Sequence, residues 1–155
     1  MNFWTFFGIA LAVLWLQANA ISCAGLQALR AEARVRWEAL LSLERCRLER
    51  WNANACGSSA EMLRWRAVLE KAMWPEDAFA VRCFFEERRL AEGIGAGGDC
   101  EVLALRCCEA VRCYAEVSAL YNARLPLLWG WPLSRWMGFL PVQEPPSAVA
   151  PNRSA

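Results

Sequence analysis

The chain has 155 residues, a net charge of +1, eight cysteines and no histidine. The near-neutral charge excludes the basic footprint of a nucleic-acid-binding protein. The missing histidine excludes histidine-based acid–base catalysis and imidazole metal ligands. We therefore predict no catalytic site, no metal site, no cofactor and no nucleic-acid partner.

The first 29 residues carry no charged side chain, and Arg30 is the first charge. At about 1.5 Å of rise per residue, a helix from Phe3 to Ser22 crosses roughly 30 Å of hydrocarbon. We therefore predict a transmembrane anchor over residues 1–28, with the lipid bilayer as its partner. Its apolar side chains are Phe3, Trp4, Phe6, Phe7, Ile9, Leu11, Val13, Leu14, Trp15 and Leu16.

A cleaved signal peptide is the competing interpretation, because the sequence Ala18–Ala20 has the form of a cleavage site. The chain would then be an exported helical protein. A signal peptide also needs positive residues at its start, and this chain has none there, which favours the anchor.

Orientation follows from the positive charges near the ends of the anchor. No Lys or Arg precedes it, whereas Arg30, Arg34 and Arg36 follow closely. The positive-inside rule then predicts a single-pass protein with its amino terminus outside and the rest of the chain in the cytoplasm.

The remaining elements are predicted to be helices. Residues 29–51 contain no Gly or Pro, so the anchor is expected to continue directly into the first of them. A second helix runs from Ser58 or Ser59 to about Met73, and a third from about Glu76 to Ala91. The third helix is expected to place five side chains in the core: Phe79, Val81, Phe84, Phe85 and Leu90.

The fourth helix is predicted from about Cys100 to Arg124, with Pro126 as its end. It carries a heptad seam, which is typical of coiled-coil packing: Leu103, Cys107, Ala110, Tyr114, Val117 and Tyr121. The predicted fold is all-α, with a transmembrane helix continuing into an antiparallel four-helix bundle over residues 29–141. An aromatic segment closes the bundle, and residues 142–155 are predicted to be a disordered tail.

The eight cysteines contain no C-x-x-C spacing, and we interpret them as small buried side chains in a reducing cytoplasm. The alternative is a thiol-based redox sensor or enzyme. It would use Cys100, Cys107, Cys108 and Cys113, with Arg106 and Arg112 lowering the pKa of a thiol.

A group of residues near the end of the chain resembles a known signature. Tyr114, Tyr121-Asn122, Arg124 and Gly138-Phe139 are similar to the carboxy-terminal motif of the LemA family. That motif has two Tyr-Asn pairs seven residues apart, followed at a fixed distance by Gly-Phe, although Ala115 stands here where the first Asn is expected. Trp37 and Arg47 resemble positions on the first bundle helix of that family.

The resemblance implies a single-pass, membrane-anchored antiparallel helical bundle without an established catalytic activity. A scaffold or protein-interaction role at the membrane is therefore expected, with a protein partner that the residues do not identify. The motif residues are interpreted as structural. The tyrosine hydroxyls should find partners, Asn122 should bind carbonyls freed near Pro126, and Gly138 should let the aromatic segment fold back.

Overall fold

The structure, a computed structural model, describes residues 2–53, 59–91, 99–129 and 136–146. These ranges contain four α-helices and no strand: α1 (Phe3–Ala53), α2 (Ser59–Lys71), α3 (Ala78–Ala91) and α4 (Asp99–Trp129). The all-helical prediction is therefore confirmed. The predicted continuation of the apolar amino-terminal segment into the first helix is also confirmed, because α1 is one helix of 51 residues.

Trp37 lies at the centre of the core, where several elements meet. Its ring centroid is 5.0 Å from that of Phe84 on α3 and 5.0 Å from that of Tyr114 on α4. Its indole Nε1 donates a hydrogen bond of 2.9 Å to the carbonyl of Ala72, just after α2. Buried aromatic pairs contribute about 0.5–1.5 kcal/mol beyond the area they bury. One side chain of α1 therefore connects all three other helices.

The seam predicted on α4 is its buried face. Leu103, Cys107, Tyr114 and Tyr121 are buried, while Ala110 and Val117 are half-buried and pack against the core. Side chains spaced alternately by four and three residues lie on one side of a helix. This face packs against α1, which α4 contacts along much of its length.

α3 buries three of the five predicted core residues, Val81, Phe84 and Phe85, and exposes the other two. Val81, Phe84, Phe85 and Arg88 are buried and follow the spacing i, i+3, i+4 and i+7. The prediction of Phe79 and Leu90 as core residues is wrong. Both fall about half a turn around the helix from Val81, and they are exposed.

Two helix ends also differ from the prediction. α3 begins at Ala78 because the carboxylate of Asp77 accepts the backbone N–H groups of Phe79 and Ala80, both at 3.1 Å. α4 continues through Pro126 to Trp129, so its predicted end at Arg124 is wrong. Proline has a helix-compatible φ and removes one N–H donor, which a helix near its end can lose without ending there.

The polypeptide after α4 returns to the helices. Phe139, Val142 and Pro145 are buried, and the described chain continues to Pro146. The predicted start of a disordered tail at Val142 is therefore too early. Residues 147–155 of that tail, and residues 130–135 of the aromatic segment, lie outside the described residues.

Candidate functional site

The first half of α1 exposes large apolar side chains on every side. The ten predicted anchor residues between Phe3 and Leu16 are 47% to 77% exposed. Successive residues of a helix are about 100° apart, so these side chains surround the helix instead of forming a stripe. Within the described residues, α1 is the one helix long and apolar enough to cross a membrane. An apolar surface of this extent marks a site of contact with something other than water.

Burial begins abruptly farther along α1. Asn19, Cys23 and Leu26 are almost completely buried, and their spacing of four and three residues defines one face. The side-chain amide of Asn19 donates a hydrogen bond of 2.9 Å to the carbonyl of Trp15, one turn earlier. α1 therefore changes within about three turns from a helix exposed all round to one with a buried face.

Just beyond this transition, Glu76 accepts hydrogen bonds from two arginines of α1. Its Oε1 lies 2.8 Å from Arg30 Nε and 2.8 Å from Arg34 Nη2. Burial alone would raise the pKa of the Glu76 carboxyl, but the two guanidinium partners outweigh burial and the pKa is lowered. The Arg34 guanidinium also lies 5.0 Å from the centre of the Trp74 ring. We call Arg30, Arg34, Trp74 and Glu76 the Glu76 cluster. Its contacts hold the α2–α3 connection against α1.

Three motif side chains of α4 hold residues 139–146, which we call the carboxy-terminal strap. The hydroxyl of Tyr114 donates to the carbonyl of Gln143 at 2.6 Å, and that of Tyr121 to the carbonyl of Leu140 at 2.9 Å. The amide of Asn122 donates to the Val142 carbonyl at 2.7 Å and accepts the Val142 N–H at 3.0 Å. An extended backbone is thus bound by side chains as it would be by a neighbouring strand.

The partner of Asn122 differs from the expected one, because it binds the strap and not carbonyls near Pro126. Gly138 precedes the strap with a φ of +62°, a left-handed conformation that glycine adopts without strain. A Cβ at this position would meet nothing within 4 Å, so the backbone conformation, not space, favours glycine. The next residue, Phe139, turns inward and is buried.

The remaining motif residues lie elsewhere. Trp37 is in the core, Arg124 is exposed, and Arg47 belongs to a buried ionic group. In that group Glu44 lies 2.9 Å from Arg88 Nε and 3.5 Å from Arg47 Nη1. The sequence did not predict the part played by Arg88. The available signal was Glu44, the one charge that interrupts a stripe of apolar residues spaced by three, four and multiples of them along α1: Leu29, Ala33, Trp37, Leu40, Leu48 and Trp51.

Comparison with known proteins identifies no relative. No protein-family model, curated protein sequence or solved structure matches the chain. The functional interpretation therefore depends on this chain's own features: the apolar half of α1, the Glu76 cluster, and the strap with the three α4 side chains that bind it.

The thiols that form the alternative site are in different environments. Burial, with the charge of Glu44 nearby, raises the pKa of Cys107 to about 12, which leaves its thiol inert at neutral pH. Cys108 is exposed, and its Sγ lies 3.5 Å from Nη2 of Arg88. The guanidinium beside Cys108 is therefore supplied by α3, and Arg112 bonds instead to Glu109. Cys113 is half-buried, and the side chain of Cys100 lies outside the described residues.

Proposed function

We propose that the protein is a single-pass, membrane-anchored helical bundle of the LemA type that serves as a scaffold for another protein on the cytoplasmic side. The observation that carries this proposal is the exposure of apolar side chains all round α1 between Phe3 and Leu16. Transfer of such a surface from water to hydrocarbon is favourable by about 25 cal/mol per Å². In a bilayer a helix also satisfies its own backbone amides.

A soluble core helix is the first alternative to a membrane span. Such a helix can be equally long and apolar, but its side chains pack against the rest of the protein. The apolar window of α1 is mostly unburied. This difference favours the span.

A cleaved signal is the second alternative. The uncharged stretch continues from Ala20 to Leu29, farther than a signal peptide needs. The anchor is therefore the better interpretation, and the Arg30, Arg34 and Arg36 side chains that follow it favour a cytoplasmic bundle.

An antiparallel arrangement of α1 and α4 is supported by the order of their contacts. Along α1, Trp37 meets Tyr114, and farther on Glu44 lies beside Cys107. Numbers that rise along α1 pair with numbers that fall along α4. The LemA resemblance is supported by three of its motif residues, because the side chains of Tyr114, Tyr121 and Asn122 all form hydrogen bonds to the strap.

The scaffold role is motivated by the end of the bundle that lies far from the apolar half of α1. A groove of about 210 Å³ lies there between α2 and α3, lined in part by Trp51, Met62, Trp65 and Leu90. Leu63 and Leu105 are exposed at the same end. Trp51 and Trp65 are themselves buried, so the exposed apolar side chains at this end are Leu63, Leu90 and Leu105. Exposed apolar side chains grouped in this way are typical of protein-binding surfaces.

Reporter fusions test the membrane topology. Green fluorescent protein fused after Ala155 should fluoresce, and alkaline phosphatase fused there should be inactive, because the carboxy terminus is expected in the cytoplasm. Mass spectrometry of the purified protein should find residues 1–20 retained. Active phosphatase at the carboxy terminus, or a chain starting after Ala20, would contradict the proposal.

Crosslinking in intact membranes tests the scaffold role. A protein crosslinked to the wild-type chain should be lost with Leu90→Glu, which places a charge in the groove. It should be retained with Val35→Glu, because Val35 is exposed on the middle of α1, away from the groove. Equal crosslinking by both variants would remove the groove as the binding surface.

A further inference from the structure

Exposed aromatic side chains are unevenly distributed over the bundle. Outside the apolar half of α1, the described residues include three of them: Trp74 at 53%, Phe79 at 77% and Trp136 at 89% exposed. The other described aromatic side chains of the bundle are buried: Trp37, Trp51, Trp65, Phe84, Phe85, Tyr114, Tyr121 and Phe139.

The three exposed rings belong to two neighbouring segments. Trp74 lies under the Arg34 guanidinium, and Phe79 is in the first turn of α3, close to the Glu76 cluster. Trp136 lies just before the strap. The backbone N–H of Gln143 in the strap donates to the carbonyl of Pro75 at 3.0 Å, which joins the two segments directly.

These segments lie at the end of the bundle nearest the proposed span. The Glu76 cluster fixes the α2–α3 connection at the level of Arg30 and Arg34. Arg30 follows Ser22 by eight residues, which is about 12 Å along a helix. The head-group layer extends roughly 5–7 Å beyond the hydrocarbon. Because residues 23–29 carry no charge, the bilayer edge can lie as much as two turns beyond Ser22.

The opposite end of the bundle provides the contrast. Large side chains exposed there are aliphatic: Leu63, Leu90, Val102 and Leu105. Trp is enriched at membrane interfaces because its ring is apolar while its N–H remains hydrated. Aliphatic side chains such as Met73, Leu127 and Leu140 are also exposed near the span, so the contrast lies in the aromatic rings. Among the described residues outside the apolar half of α1, exposed aromatic rings occur at the end nearest the span, which suits that end to lipid.

We propose that Trp74, Phe79 and Trp136 insert into the head-group layer of the bilayer and seat the bundle upright on it. This inference rests on the proposed function, because it needs α1 to span the same bilayer. The occupant of this surface is phospholipid. Two attachments, the span and the three rings, fix the tilt of the bundle relative to the membrane. From Arg30 to Ala53, α1 then extends about 35 Å from the membrane, which sets the height of the distal groove.

Site-specific photocrosslinking to lipid tests the inference on the full-length chain. The photoreactive residue p-benzoylphenylalanine replaces one side chain at a time in protein reconstituted into phosphatidylcholine vesicles. The positions are Trp74, Phe79 and Trp136, with Leu105 as the matched control, because it is 66% exposed at the far end of the bundle. Phe7 serves as the test of the span. Covalent lipid adducts are counted by mass spectrometry.

The expected result is a lipid adduct at Phe7 and adducts at all three aromatic positions in several-fold higher yield than at Leu105. An adduct at Phe7 with yields no higher than that of Leu105 at any of the three positions would overturn the seating and leave the span intact. Absence of an adduct at Phe7 would overturn the span itself, and the seating with it.

Discussion

The two halves of α1 belong to one unbroken helix, but they differ in how their apolar side chains are covered. Between Phe3 and Leu16, apolar side chains are exposed on all sides and no charge is present. Between Ala33 and Trp51, apolar side chains are buried on one face, and charged residues cover the others. Covering by protein explains the second half completely. Within the described residues nothing covers the first half, and its length and apolar character are those of a candidate membrane span.

The halves also differ in how they treat polar groups. The first half carries no charge, and its buried amide, Asn19, bonds to a carbonyl of the same helix, whereas the second half buries Glu44 in the core beside two arginines. A buried charge is tolerated only with partners that replace its hydration. Substitutions in the second half should therefore lower the free energy of unfolding, whereas substitutions in the first half should weaken the association with the membrane.

The largest effect is expected for Arg88→Ala, which removes the closest partner of a fully buried carboxylate. The free energy of unfolding in detergent micelles should fall by about 3–5 kcal/mol, because the buried Glu44 carboxylate loses the nearer of two arginine partners and retains Arg47 at 3.5 Å. Denaturant titrations followed by tryptophan fluorescence measure the loss. The control Arg82→Ala breaks an exposed pair with Glu86 and should cost less than about 1 kcal/mol. Equal losses of unfolding free energy would show that the buried Glu44–Arg88 pair contributes no more to stability than the exposed Arg82–Glu86 pair.

Leu11→Arg should break the first half of α1 and leave the second half intact. A charge near the centre of a span costs about 3 kcal/mol of insertion free energy. The fraction of protein that resists alkaline extraction from membranes should fall, while the helical fold of the bundle persists. Leu105→Arg places the same charge on an exposed site of α4 and should not change extraction. Extraction of both variants to the same extent would argue against a span at Leu11.

Asn122→Ala should release the strap without unfolding the helices. It leaves the backbone groups of Val142 without their partners, which costs about 1–3 kcal/mol locally. Hydrogen exchange at the backbone amides of Val142, Gln143 and Glu144 should accelerate, whereas exchange in α1 between Ala33 and Trp51 should not. Arg124→Ala, at an exposed position two residues away, provides the control. Unchanged exchange in the strap would show that Asn122 is not what holds it.

The smallest effect is expected from acid titration of the Glu76 cluster. The pKa of Glu76 is lower in the folded chain than its ordinary value of 4.5. Its stabilisation is therefore present above the ordinary value and is lost as pH falls through the lower folded pKa. Unfolding measured from neutral pH downward should show a stability difference between wild type and Glu76→Gln that disappears in acid. A difference independent of pH would exclude ionisation as its source.

Several features of the fold were predictable because they depend on neighbours along the chain. The absence of charge before Arg30 is visible without any contact, and it predicts the long apolar helix. The seam on α4 follows from helical periodicity alone, and its predicted residues are buried or half-buried. The pairing of Tyr114 and Tyr121 was implied by the resemblance to the LemA motif, and their seven-residue spacing places both on one face of the helix.

Features that depend on which elements meet were not predictable. Arg88 pairs with a carboxylate 44 positions away, and Tyr114 with a carbonyl 29 positions away. The burial of Val142 and the exposure of Phe79 likewise depend on where the strap and α3 pack.

The sequence by itself determined the helical class, the long first helix and the faces of α1 and α4 that are buried. Periodicity and charge act locally, so each segment carries that information alone. The tertiary structure alone decided the partners of Glu44, Glu76 and Asn122 and the path of the strap. A buried polar group needs a partner, but its own sequence neighbourhood does not specify which distant residue supplies it.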